Sequence, residues 1–178
     1  MGKSSQYNHF MKRIDITGQN AINIEDYFSG LLYEKAVGMN NIGKAKNIYT
    51  EEYADSDRKR YYLPEDDNYA NESTTITMHF LVVGDASERQ TTINRFLQYV
   101  RTGVHTYWDD ARNREFDFIV TGEIKVSDEK WHGSRPYIEI EVPLLNLNGR
   151  TRLRTDVTEP IVSNMEPVQQ SQQTVSDR

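Results

Sequence analysis

Hydrophobic and polar residues alternate strictly in two segments of the chain, 74–83 and 136–145. A period of two residues is typical of a strand with one buried face and one solvated face, so both segments are predicted to be antiparallel strands. The apolar phase, which we expect in the core, consists of Ile76, Met78, Phe80, Ile138, Ile140 and Val142. The polar phase, a candidate polar outer face, consists of Thr75, Thr77, Glu139 and Glu141.

A helical period lies between these two segments. Apolar residues recur at i, i+3, i+4 and i+7, which predicts an amphipathic helix over about 87–102 that packs on the sheet. The residues of this apolar stripe are Ile93, Phe96, Leu97 and Val100. Ser87 and Gln90 have the spacing of a capping box at the helix start. Gly103 is placed to take the left-handed conformation that commonly ends helices.

Further strands are predicted on both sides of this helix. Residues 104–108 and 116–126 flank a polar turn, which is the pattern of a β-hairpin. Residues 10–16, 21–24 and 30–37 also have strand character. One helix against an antiparallel sheet gives the fold class α+β, mainly β. Because the helix stripe can cover only part of an apolar sheet face, we expect an antiparallel β-sandwich or barrel with one packed α-helix and extended arms.

The domain organisation follows from where aliphatic residues become scarce. Residues 1–145 are predicted to form one β domain that contains a long polar excursion at about 38–73. Residues 146–178 carry isolated apolar residues without a period and are predicted to be an extended C-terminal arm. Loops this long inside a compact domain are uncommon unless they have a function or order on a partner.

Composition narrows the function classes. The 178-residue chain has a net charge of −6, and an acidic chain is a poor general binder of nucleic acid, because such binding depends on lysine and arginine. The absence of cysteine excludes disulfides, cysteine-ligated zinc and a thiol nucleophile. No apolar run reaches the length of a membrane span, and the first residues lack the apolar stretch of a signal peptide. We therefore expect a protein made in the cytoplasm that has no membrane partner.

Candidate catalytic groups do not form a recognisable motif. The four histidines lack metal-ligand spacing, although His79 and His105 are predicted on strands that could be neighbours. Glu139 and Glu141 share a strand face and could serve as paired carboxylates, but no segment predicts a cleft around them. We expect a protein that is not an enzyme, with no catalytic, cofactor-binding or metal-binding residues.

The order of the short motifs between residues 13 and 147 resembles that of one protein family. The segments that carry the likeness are Ile14-Asp15-Ile16-Thr17-Gly18, Val83-Gly84-Asp85 after the strand at 74–83, Phe96-Leu97-Gln98-Tyr99-Val100 in the helix, Thr106-Tyr107-Trp108-Asp109, and the strands at 116–122 and 137–142. This layout is similar to the N-terminal domain of distal tail and tail-tube-like proteins of tailed bacteriophages. The excursion at 38–73 departs from the shorter loops of that family.

The resemblance implies a structural component of the virion tail, made in the cytoplasm of the bacterial host. It implies partners of three kinds: copies of the chain in a ring, usually of six subunits, neighbouring tail proteins, and DNA that passes through the ring without sequence recognition. In such a ring the polar face of Glu139, Glu141, Thr75 and Thr77 would line the lumen or the outside.

Two alternatives remain open at this point. The first is a neck or tail-completion protein of a phage, since such proteins can share one sheet-and-helix fold. The second is a small carbohydrate- or peptide-binding β-sandwich module, in which Trp108 and Trp131 would be stacking platforms.

Overall fold

One large sheet organises the chain in a computed structural model that describes residues 7–46, 49–52, 59–62, 70–154 and 161–162. In chain order the elements are β1 (His9–Arg13), β2 (Ala21–Asn23), α1 (Ile24–Tyr27), β3 (Leu31–Val37), β4 (Tyr49–Glu52), β5 (Lys59–Tyr62), β6 (Thr74–Val83), α2 (Ala86–Arg101), β7 (His105–Asp109), β8 (Arg114–Val120), β9 (Lys125–Val126), β10 (Lys130–His132), β11 (Arg135–Asn146), β12 (Arg152–Leu153) and β13 (Ile161–Val162).

The main sheet has eleven strands in the described residues, and its principal order is β13-β2-β1-β7-β8-β11-β6-β3. Strand β11 is its centre, because it pairs antiparallel with β6 along ten consecutive positions, from Tyr137 opposite Val83 to Asn146 opposite Thr74. The other edge of β11 pairs in turn with β8, β9 and β10. Long antiparallel pairing of this kind follows from the two alternating segments in the sequence.

The sheet is open but strongly bent. Strands β1 and β3 lie near its opposite ends, yet the rings of His9 and Tyr33 stack with centroids 3.8 Å apart. Both halves of the sheet therefore enclose one core, to which β1, β3, β6, β7, β8, β11 and α2 all contribute. The predicted class, α+β and mainly β, is confirmed. The sheet is not closed into a barrel, since the described strands at its two ends, β13 and β3, are not paired with each other.

The residues predicted as core lie on the concave side of this sheet or on the helix face that covers it. Fully or almost fully buried are Ile76, Met78, Phe80, Ile93, Phe96, Val100, Ile140 and Val142. Leu97 and Ile138 are half-buried and pack at the edge of the same cluster. The ring of Phe96 lies 4.9 Å from that of Phe80 and 5.4 Å from that of Phe28, so the helix is fixed by aromatic edge contacts.

Helix α2 begins one residue earlier than the sequence pattern predicts. Its N-cap is Asp85, whose carboxylate accepts a hydrogen bond of 2.8 Å from the Glu88 amide, while the Glu88 side chain accepts one from the Asp85 amide. The predicted capping box of Ser87 and Gln90 is therefore wrong. Asp85 and Glu88 have the same spacing two residues upstream, and their carboxylates are stronger hydrogen-bond acceptors than a hydroxyl and an amide. At the other end Gly103 has φ +80°, so its predicted left-handed conformation is confirmed.

The two segments predicted as arms contain paired strands where the structure describes them. In the excursion, β4 and β5 form a separate two-stranded sheet, and Ala45 bridges to Asn71 at its base. In the C-terminal segment, β12 pairs with β8, and β13 pairs in parallel with β2. The remaining parts of both predicted arms, 47–48, 53–58, 63–69, 155–160 and 163–178, lie outside the described residues.

Candidate functional surfaces

The four residues of the predicted polar face lie together on the convex side of β6 and β11. The register places Thr75 opposite Leu145 and Thr77 opposite Pro143, while Glu141 is opposite His79. Thr75 is exposed, and the other three predicted residues are partly buried. This common side is the outer face of the bent sheet, because their neighbours in sequence fill the core.

The charge on this outer face is balanced rather than acidic. One row across the sheet runs from Lys35 in β3 through His79 and Glu141 to Lys125 in β9. The Nδ1 atom of His79 lies 3.9 Å from a carboxylate oxygen of Glu141. Lys125 therefore lies directly opposite Glu141, and such a pair of opposite charges across two strands is a stabilising arrangement.

Glu139 is neutralised in a similar way by the segment that runs from β9 to β10 along the edge of β11. Its carboxylate accepts a hydrogen bond from the Lys130 ammonium, and this bond raises the pKa of Lys130. The Glu139 amide donates to the Ser127 hydroxyl at 2.9 Å, which ties the connection between β9 and β10 to the edge of β11. The two glutamates that the sequence singled out thus stabilise strand pairing.

A second polar cluster joins the C-terminal segment to the outer face of β8. The guanidinium of Arg152 forms two hydrogen bonds of 3.0 Å to the carboxylate of Asp117 and a third of 2.9 Å to Glu115. Arg154 binds the other oxygen of Glu115 at 2.8 Å. We call these four residues the arginine clasp. Burial alone would raise the pKa of Asp117, but hydrogen bonds from Arg152 and its other partners outweigh that cost and lower it.

The arginine clasp also covers Trp108, one of the two candidate stacking platforms. The guanidinium carbon of Arg154 lies 3.7 Å from the ring centroid of Trp108, whose other neighbour, Phe10, stacks at 5.5 Å. Trp108 is consequently buried. Trp131, by contrast, is 61% exposed on β10. Sequence reasoning missed the clasp, although Glu115 and Asp117 are spaced two residues apart on β8, as Arg152 and Arg154 are at and just after β12.

The buried histidines belong to the core and do not meet each other. Nδ1 of His9 lies 2.8 Å from the Tyr107 hydroxyl, and burial lowers the pKa of His9 to about 4. His105 packs between Tyr99 and Phe118, and burial lowers its pKa to about 4 as well. The strands of His79 and His105 are not neighbours, because β8 and β11 lie between them, and the two side chains point to opposite faces.

Within the described ranges, no group of three or more histidine, aspartate or glutamate side chains is arranged to hold a metal ion. The same part of the chain has no helix of the length and apolarity that crossing a membrane requires.

Comparison with known proteins identifies a shared fold. No family model matches the sequence, and no curated protein matches it. Among solved structures, the chain is similar to a chain in the phage p2 baseplate in its activated conformation with Sr, and to one in the same baseplate with Ca. Each alignment has a TM-score of 0.51 and 7% sequence identity and covers 79% of this chain. The protein spans 44% of the length of those baseplate chains, and at this identity the likeness establishes the fold alone.

Proposed function

We propose that the chain is a structural, non-enzymatic component of a bacteriophage tail that forms or joins a ring around the DNA channel. The observation that carries this proposal is the fold that it shares with chains of the phage p2 baseplate over 79% of its length. The motif order in the sequence points to the same class of protein.

The roles of the ionisable side chains support a structural function. His9 and His105 are enclosed by the core, and the acidic residues of the arginine clasp are engaged by arginines. A catalytic acid or base must reach a substrate within hydrogen-bonding distance. Groups that are enclosed by aromatic rings or saturated by ion pairs instead fix the fold.

The outer face of β6 and β11 is a candidate channel surface. Lys130 pairs with Glu139, Lys35 pairs with Glu34, and Lys125 lies opposite Glu141, so the face offers DNA neither a dense row of cations nor an uncompensated acidic wall. Binding to phosphates requires uncompensated lysine or arginine. A balanced face would let a duplex pass without sequence recognition, as the proposed function requires.

The proposed partners are copies of the chain, in a ring of six by resemblance, and neighbouring tail proteins. The proposed location is the tail of the virion, after synthesis in the cytoplasm of the bacterial host. Strand β3 at the end of the sheet offers an edge through which such assembly could extend the sheet.

Deletion of the gene from the phage or prophage that encodes the chain tests the proposal. Electron microscopy should then show heads without complete tails, and supply of the wild-type chain from a plasmid should restore them. Antibody labelling of restored particles should mark the tail, and averaged images should show a ring with an open channel. Normal, infectious tails on particles that lack the chain would refute the proposal.

A further inference from the structure

Residues 151–154, which include β12, form a strap that is bound to the sheet chiefly by charged groups. Both residues of β12 are exposed, and Leu153 is 71% exposed, so neither adds a side chain to the core. The strap is held by its two-residue ladder with β8, by the arginine clasp, and by a hydrogen bond of 2.9 Å from the Arg154 amide to the Asn113 carbonyl. A segment with so few buried apolar contacts is among the first parts of a fold to open.

The strap covers an aromatic pair on the outer face of the sheet. Phe10 and Trp108 lie opposite each other on β1 and β7, and together with Ala21 they form a cluster that is separate from the main core. Their neighbours in both strands point into the main core, so this pair faces outward. The guanidinium of Arg154 lies over the ring of Trp108, which is only 7% exposed. The strap thus hides apolar surface that does not belong to the main core.

The sheet side of the arginine clasp is fixed by contacts that do not involve the strap. The carboxylate of Asp117 accepts a hydrogen bond of 2.6 Å from the Thr106 hydroxyl, and the Asp117 amide donates to the Asn148 side chain at 2.7 Å. Thr106 and Asp117 also lie opposite each other in the ladder of β7 and β8. Departure of the two clasp arginines therefore leaves this carboxylate and its strand in place.

The forces that hold the strap and those that hold the core respond differently to salt. The Debye length falls from about 10 Å at about 0.1 M salt to about 3 Å at about 1 M, which weakens attraction between charges that water can reach. Arg152 is such a charge, since its side chain is 42% exposed in its ion pair with Glu115. Burial of apolar side chains in the main core does not depend on charge. Added salt therefore weakens the strap without weakening the core.

We propose that the strap is a salt-sensitive cover that opens and closes while the sheet stays folded. In the closed state its two arginines engage Glu115 and Asp117 and hide Trp108. In the open state these two carboxylates and the aromatic pair become one exposed surface on the outer face. The ion pairs of the arginine clasp thus control whether this surface is accessible. The proposal does not depend on the proposed function.

Tryptophan fluorescence of the full chain reports whether the strap is open. The chain has two tryptophans, and Trp131→Phe removes the exposed one, so that Trp108 is the only tryptophan that emits. In this background, acrylamide should quench Trp108 about threefold more strongly in about 1 M NaCl than in about 0.1 M NaCl. The far-UV circular dichroism should be the same at both salt concentrations, because the sheet stays folded.

Substitution of both clasp arginines tests the cause of the opening. Arg152→Met combined with Arg154→Met should give the strong quenching already at low salt and remove most of its salt dependence. The matched control combines Lys35→Met with Lys130→Met, which removes two paired lysines from the half of the sheet that the strap does not touch. Both double variants take the net charge from −6 to −8, but in the control Trp108 should stay protected at low salt and respond to added salt.

Hydrogen exchange of the wild type is a second measurement that needs no substitution. At high salt the Arg154 amide should exchange about tenfold faster, while the amides of Ile140 and Val142 in the core strand β11 keep their rates. Equal quenching of Trp108 at both salt concentrations, faster exchange in β11 together with Arg154, or equal loss of protection in the lysine control would each overturn the proposal. If the double arginine variant does not fold, the salt response of Trp108 and the wild-type exchange rates decide the proposal.

Discussion

Acid should destabilise this protein between pH 7 and pH 5 because burial disfavours the charged form of two histidines more than nearby carboxylates favour it. His9 and His105 are 4% and 0% exposed, and burial lowers the pKa of each to about 4 from the usual 6.5. Between those values the unfolded chain binds protons that the folded chain excludes. The free energy of unfolding is therefore at its full value above pH 6.5 and decreases as the pH falls toward 4.

The size of the effect follows from the two pKa values. At pH 5 the difference in proton binding costs about 2 kcal/mol for each histidine, and so about 4 kcal/mol for the pair. This is a large part of the stability of a typical domain, which is about 5–15 kcal/mol. Carboxylates contribute in a lower range, since Asp15, whose pKa the hydrogen bond from Arg13 lowers to about 2, affects stability only below about pH 4.

Urea denaturation at pH 7 and pH 5 measures the effect, and His105→Phe isolates one histidine. Phenylalanine suits the site because the neighbours are the rings of Tyr99 and Phe118, and both ring nitrogens of His105 lack a partner in the described structure. The variant should lose about half of the pH dependence, whatever its stability at pH 7. The exposed His132→Phe is the matched control and should lose none.

An unchanged pH dependence in His105→Phe would refute this account of the acid effect. If the variant does not fold, titration of the wild-type histidine ring protons by NMR replaces it. If the ring of His9 or of His105 titrates near pH 6.5 in the folded protein, burial is not the cause of the acid effect.

Three further outcomes are expected from substitutions in the fold. Phe96→Ala should lower the free energy of unfolding by about 3–5 kcal/mol in urea denaturation, because it empties the contact between helix and sheet. Gly30→Ala should prevent stable folding, since φ is +80° and the added Cβ would lie 2.3 Å from the carbonyl oxygen of Val83 in β6. The control is Gly133→Ala, which has φ +62° but open space around the added Cβ. It should lower the free energy of unfolding by only about 1 kcal/mol in the same assay. Arg154→Met should lower the free energy of unfolding by about 1–3 kcal/mol and speed hydrogen exchange in β12. Arg154→Lys should lose less stability than Arg154→Met but more than none, because a lysine ammonium cannot stack flat on the ring of Trp108.

The main strands and the main helix could be predicted because each carries a regular period. The strand at 74–83 has the predicted bounds, and helix α2 differs from its prediction by one residue at each end. Both elements bury one face in a common core, so their apolar residues recur with the period of a strand or of a helix. Half-burial of Leu97 at the core edge is a matter of packing geometry that spacing does not record.

The pairing of short and polar segments could not be predicted in the same way. Strand β12 has two residues, both exposed, and it is held by arginines that reach across to β8. Its stability depends on partners that lie 35–39 positions away in sequence, which no local pattern reveals. The predicted strand at 116–126 likewise divides into β8 and β9, because β11 pairs with each in a different register.

The distribution of paired charges and exposed apolar side chains indicates where binding of a partner would be favourable in free energy. On the outer face most charges already have a partner, as Glu139 has in Lys130, and covering such pairs removes water from them without supplying a new contact. Near the two ends of β11, in contrast, Leu153 and Trp131 expose apolar surface, and removal of such surface from water favours association. Arg150 and Asp128, near these ends, have no ion-pair partner among the described residues. A partner that binds beyond the strand ends would thus leave the paired charges on the outer face of β6 and β11 in contact with water.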